Sequence, residues 1–214
     1  MDSVPQDELA PHHILLLDWW RTNRRDFPWR RDGTTPYQIL VAEMLLWRTR
    51  AESVFTIWDD FFKVFPTLQD LADASEDDIY AIIAPLGLRK RAEYLKQMAQ
   101  RILHAYDGEV PRTREELIEM LGIGEYVASA VLTFMFREDV PVYDANVRRI
   151  MFRYIDTDDD VVAREQAAAM IPDGWGPEWN YALLDLGAII CRWRPECASC
   201  PLCSLCETGR MKVL

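Results

Sequence analysis

Polar and apolar positions along the chain fall mainly into helical registers. Thr35-Pro36-Tyr37-Gln38 is a capping box with proline at the first helical position, and the apolar residues that follow predict a helix through about Arg50. Ser75-Glu76-Asp77-Asp78 stands before Ile79, Ile82 and Ile83, an acidic start leading into an apolar face. Thr113-Arg114-Glu115-Glu116 opens a short helix through Met120. Gly122 and Gly124 interrupt it, and a helix over 125–136 resumes with Tyr126, Ala130, Val131 and Met135 at helical spacing. Asp144 precedes a further helical segment, 145–154, and residues 179–191 are apolar enough for a buried helix. No run alternates over strand length, and no repeat or low-complexity stretch occurs. The predicted fold class is all-α.

Composition narrows the function classes. The chain has 214 residues, half of them apolar and 28% charged, enough for one large core or two modest ones. Apolar runs such as Ile39–Val41 and Met44–Trp47 are broken by charge well before the roughly 20 residues of a membrane span. Met1–Pro11 is acidic, with no basic segment leading into a long apolar one, which reads against a secretory signal. The expected setting is therefore a reducing cytoplasm, with no membrane partner. All five cysteines lie between Cys191 and Cys206, a grouping that suits a metal site better than a disulfide framework. Cys197-x2-Cys200-x5-Cys206, with Cys191 upstream, places four thiolates within reach of one centre, either a tetrahedral zinc or a [4Fe–4S] cluster.

Charge divides along the chain. The net charge of -11 opposes bulk attraction to nucleic acid. Yet 20 of the 24 cations are arginine, the better residue for bidentate phosphate contacts. Arg21, Arg24, Arg25, Arg30 and Arg31 interleave with Trp19, Trp20, Phe27 and Trp29, while acids gather in 73–78 and 156–160. Two readings stand: an acid-rich shell, as in proteins working at high salt, around a basic working face, or an ordinary helix end with solvated arginines.

Three further features carry chemistry. Leu121-Gly122-Ile123-Gly124 joins two predicted helices as a helix-hairpin-helix. Its glycines allow positive φ and let backbone N–H groups approach a DNA phosphate, directly or through a monovalent cation; a plain tight turn is the alternative. Asp144 is a helix N-cap, or a carboxylate held at a helix start to stabilise positive charge on a sugar. Glu43 has Ile39, Leu40, Leu46 and Trp47 one turn away. Lying on that stripe it loses water and its pKa rises; at the margin it reaches solvent or an arginine. Glycosidic bond cleavage needs two such carboxyl roles.

In combination, Arg25-Asp26-Phe27-Pro28-Trp29-Arg30, Ala42-Glu43-Met44-Leu45-Leu46, Pro85-Leu86-Gly87-Leu88, Leu121–Tyr126, Val140–Arg149 and the cysteine cluster resemble the helix-hairpin-helix DNA glycosylases of the endonuclease III superfamily. The resemblance implies a six-helix domain (32–138) and a second helical domain from both chain ends (1–31 and 139–214). The second would carry a [4Fe–4S] cluster in the loop 191–206. It also implies double-stranded DNA as partner, a flipped nucleotide, Asp144 as the catalytic aspartate, and Cys191, Cys197, Cys200 and Cys206 as ligands. The family usually has six residues between its first two cluster cysteines; Cys191 and Cys197 leave five, and Cys203 is an additional thiol able to substitute.

Strand-cleaving members carry a lysine after the hairpin. Tyr126 stands there in this chain, and no lysine lies between Lys96 and Lys212. The implied enzyme is therefore monofunctional; a monomer associated with the nucleoid is the expected state. Its branch most resembles the archaeal-type thymine glycosylases of T/G and U/G mismatches, with Tyr126 lining the pocket. Trp47, Arg48 and Leu88 would lie at the gap left by the flipped base, and Gly122, Gly124 and Arg148 on the DNA backbone. Adenine glycosylases of A/G or A/8-oxoguanine mismatches come next; they carry a paired Gln, a Gly-Tyr-Tyr and a C-terminal reader domain, where this chain has Trp47-Arg48 and Leu88-Arg89 and ends eight residues after Cys206. A non-catalytic DNA-structure binder with a terminal zinc knot is the alternative from another class.

Overall fold

A computed structural model of the chain describes residues 9–213; most of the Met1–Pro11 segment assessed for a secretory signal lies outside them. The described residues form helices α1 (Pro11–Asn23), α2 (Pro36–Leu46), α3 (Ala51–Val64), α4 (Leu68–Asp73), α5 (Glu76–Ile83), α6 (Lys90–Ala105), α7 (Arg114–Ile118), α8 (Glu125–Phe134), α9 (Ala145–Tyr154), α10 (Asp160–Ala169), α11 (Gly176–Ile189) and α12 (Glu207–Val213), with no strand among them. None of these helices is long and apolar enough to cross a membrane. The chain divides into two compact units, one of Met1–Arg25 with Arg137–Leu214, the other of Asp26–Phe136.

Within Asp26–Phe136, α2 begins as the sequence predicts. The Gln38 amide donates to Thr35 Oγ1 at 3.2 Å, and Gln38 Oε1 accepts from the Thr35 amide at 3.0 Å. Leu40 to Leu45 are all buried, so the helix has no solvent stripe. It packs on α3, α6 and α8. It also ends earlier than predicted, at Leu46 rather than near Arg50. Trp47 departs from helical geometry and Arg48 is left-handed at φ 59°. The segments predicted to end at Met120 and Phe136 likewise stop short, at Ile118 and Phe134.

The basic aromatic segment is largely consumed by the fold. Phe27 and Trp29 are buried and stacked at 4.7 Å, with Trp58 packed against Trp29. Arg31 pairs with Asp26 at 2.8 Å. The expected working face is thus partly core, because large aromatic rings gain more from burial than from exposure beside cations.

In the other unit, α9 packs on α10, α11 and α12, and α1 on α11. Arg25 Nε binds the fully buried Asp185 at 2.6 Å, and Trp20 Nε1 donates to the same carboxylate at 2.9 Å. Helix α11 starts at Gly176, three residues before the predicted start. Asp139, far away in sequence, accepts from the Gly174 and Gly176 amides at 2.7 and 2.8 Å and supplies the cap. Asn180 on α11 fastens the chain leading to Asp144: its Oδ1 accepts from the Val142 amide at 2.7 Å, and its Nδ2 donates to the Val140 carbonyl at 3.0 Å.

Candidate active site

Glu43 is 2% exposed within the buried stretch Leu40–Leu45 of α2. Burial pushes its carboxyl group up to about 7, while the Tyr126 hydroxyl and the nearby Arg30 charge pull the other way. Tyr126, in the first turn of α8, donates its hydroxyl to Glu43 Oε2 at 3.3 Å. The two candidates chosen for different reasons in sequence are therefore one hydrogen-bonded pair. A group titrating near neutrality can hold or take a proton under working conditions.

The hairpin lies against the same helix. Trp47, Tyr94, Gly122, Gly124 and Tyr126 are among the residues lining a cavity of about 340 Å³. Gly122 is left-handed at φ 83°, and a Cβ there would stand 2.7 Å from Tyr94. Both constraints require glycine. Gly124 differs from expectation: its backbone is extended, a conformation open to any residue, and a Cβ there would meet nothing within 4 Å. Its contribution is open space at the start of α8, where no side chain caps the first amides.

Trp47 and Leu88 are exposed, at 38% and 51%. Arg48 and Leu88 share an unusual backbone, φ 59° and 58°, in the region that disfavours side chains. Arg91 links the two segments. Its Nη2 donates to the Trp47 carbonyl at 2.8 Å and to the Thr49 hydroxyl at 3.0 Å, and its amide donates to the Leu88 carbonyl at 2.8 Å. Sequence reasoning missed Arg91. One cation of the Arg89-Lys90-Arg91 run at the head of an amphipathic helix carries no local sign that it, rather than its neighbours, is buried.

Asp144, half-buried, caps α9. Oδ1 accepts from the Asn146 and Val147 amides, both at 2.8 Å, and Oδ2 accepts from Asn146 Nδ2 at 2.9 Å. The capping role is present, and it leaves acceptor capacity on Oδ2. From Asn146 the bonds continue. Arg149 Nη2 donates to Asn146 Oδ1 at 2.8 Å, and Arg149 Nε to the Cys191 carbonyl at 2.7 Å. Arg148, expected on DNA, is held by Asp160 at 2.8 Å and lies over Phe152.

All five cysteines line one further cavity with Arg153, Leu186 and Leu202. None forms a disulfide. Burial pushes Cys200 up to about 12, and Cys191, Cys206 and Cys197 add to the rise as neighbouring negative charges. Without a metal these crowded groups stay protonated thiols; ionised together, they would need a cationic centre to offset their mutual repulsion. Among the described residues no group of three His, Cys, Asp or Glu closes tightly enough to hold one metal ion. Thiols spread around a cavity suit a polynuclear group better than a single zinc.

Helices joined by this hairpin, with the buried carboxyl beside it, match a known pattern. The profile of the HhH-GPD superfamily of base excision DNA repair proteins covers residues 41–171, more than half of the chain. The chain belongs to the HhH-GPD superfamily. This HhH-GPD protein is 39% identical over 204 residues to the adenine DNA glycosylase of Mycobacterium tuberculosis, spanning 90% of the chain and 67% of that protein. It is 36% identical over 215 residues to the thymine/uracil-DNA glycosylase of Methanothermobacter thermautotrophicus, spanning 97% of both. A solved structure of a thermostable thymine-DNA glycosylase superposes with a TM-score of 0.85 at 33% identity, covering 94% of this chain and 97% of that one. As an HhH-GPD member it is a DNA glycosylase, a hydrolase of N-glycosyl bonds acting on DNA.

Proposed function

We propose that this chain is a monofunctional mismatch glycosylase that releases thymine or uracil opposite guanine and leaves an intact abasic site. The observation that carries the reading is the Tyr126–Glu43 pair at 3.3 Å. A phenol cannot form an imine with the sugar, so water is the nucleophile. The scissile bond joins C1′ to the base nitrogen. As it breaks, the electron pair leaves with the base and positive charge develops on the sugar, where the Asp144 carboxylate stabilises it. Water adds to C1′, and Glu43, ionised above about pH 7, orients that water or accepts its proton. Tyr126 and Trp47 line the cavity that receives the extruded base, and a mismatched pair is the cheaper one to open.

Trp47, Arg48 and Leu88 are the wedge at the vacated position, and Gly122 and Gly124 approach a backbone phosphate, with a monovalent cation as bridge. Arg148 reaches phosphate by exchanging Asp160 for DNA. Cys191, Cys197, Cys200 and Cys206 would hold a [4Fe–4S] cluster, which when bound would tie the two ends of the 191–206 loop together.

Duplexes carrying T/G, U/G, A/G and A/8-oxoguanine, treated with enzyme and then alkali, test the proposal. Cleavage of T/G and U/G strands supports it. Adenine release assigns the second reading, which the 39% identity to an adenine glycosylase favours. Binding without product from any duplex refutes both.

A further inference from the structure

Arg91 is 2% exposed at the head of α6, and no ion pair forms to it among the described residues. Nη2 makes its two bonds to the Trp47 carbonyl and Thr49 hydroxyl, whereas Nε and Nη1 are buried without hydrogen-bond partners. A buried guanidinium with donors unmet lowers stability, and an apolar side chain of similar length would serve the core at least as well. What the residue holds is therefore the point of interest. Its side chain grips the turn containing Arg48 at φ 59°, and its amide grips the turn containing Leu88 at φ 58°. Both backbones lie in the left-handed region that disfavours side chains, so each turn gains from being held. Each turn carries an exposed apolar side chain, Trp47 on one and Leu88 on the other.

We propose that Arg91 is a positioning residue that ties the two wedge-bearing turns to one rigid point, so that Trp47 and Leu88 meet the mismatched pair in a fixed mutual geometry. The inference rests on the mismatch-glycosylase reading above. It makes Arg91 a determinant of how well the enzyme opens a paired base, separate from how fast it cleaves a base already free. The guanidinium suits this task because its planar hydrogens fix two acceptors at a set angle, whereas an ammonium is a rotating point charge.

The test uses the full chain as wild type, Arg91→Met and Arg91→Lys. Single-turnover base release is measured on a T/G duplex and on a duplex with thymine in a one-nucleotide bulge, which has no pair to break and no orphan guanine to support. Thermal unfolding is followed in parallel. Arg91→Met is expected to unfold no lower than wild type, yet to lose on the order of 100-fold on T/G and far less on the bulge. Arg91→Lys recovers part of the T/G rate. Retention of the T/G rate in Arg91→Met within about twofold, or equal loss on both substrates, overturns the inference while leaving the glycosylase reading intact. A wild-type chain that releases thymine from neither substrate overturns that reading, and this inference with it.

Discussion

Replacing Glu43 with glutamine removes the ionisation while keeping size and hydrogen-bonding capacity. In the fold the carboxyl group titrates at about 7 instead of its ordinary 4.5. Below pH 4.5 the group is protonated in both folded and unfolded chains and contributes nothing to pH dependence. Between 4.5 and 7 the unfolded chain loses the proton and the folded chain keeps it, so wild-type stability falls as pH rises. Above 7 both are ionised and the penalty is constant. At about 1.4 kcal/mol per pH unit, that penalty reaches about 3 kcal/mol. Urea unfolding of both proteins at intervals from pH 4 to pH 9 measures it: the stability of Glu43→Gln relative to wild type should climb by about 3 kcal/mol across the range and then level off. The same variant should lose base release at every pH, while the wild-type rate rises through about pH 7 as the carboxylate forms. A stability difference that stays flat with pH would refute the claim that burial sets this proton affinity.

Asp144→Asn keeps an acceptor for the Asn146 and Val147 amides, so stability should change by less than about 1 kcal/mol while single-turnover base release falls by at least about 100-fold and duplex affinity persists. Gly122→Ala meets both a left-handed backbone and the Tyr94 ring, and should destabilise the chain by about 1–3 kcal/mol in urea titration. Purified protein should carry iron and sulfide; with Cys191, Cys197, Cys200 and Cys206 as ligands, Cys200→Ser should lose both and Cys203→Ser should retain them, as judged by metal analysis and visible absorbance.

Glu43 shows where the sequence stops being informative. Its apolar neighbours at helical spacing place it on a stripe, yet stripe centre and stripe margin look alike until α8 packs on α2 and delivers Tyr126 to the carboxyl group. Asp144 shows the reverse. Its capping bonds reach two and three residues ahead, so the helix start at Ala145 is legible directly. The start of α11 is not, because its cap comes from Asp139, more than thirty residues upstream.

From the sequence alone come the all-helical class, the helix starts at Thr35, Ser75, Thr113 and Asp144, the gathered thiols, and a tyrosine where an amine would be needed. The first three rest on residue type or on contacts within one helical turn; the meaning of the tyrosine comes from the family resemblance. Tertiary packing alone decides that α2 stops at Leu46, that Arg91 is buried, that Phe27 and Trp29 belong to the core, and that Glu43 holds its proton near neutrality. Those outcomes depend on which distant surfaces exclude water from a side chain, and desolvation is a property of the packed neighbourhood rather than of the local chain.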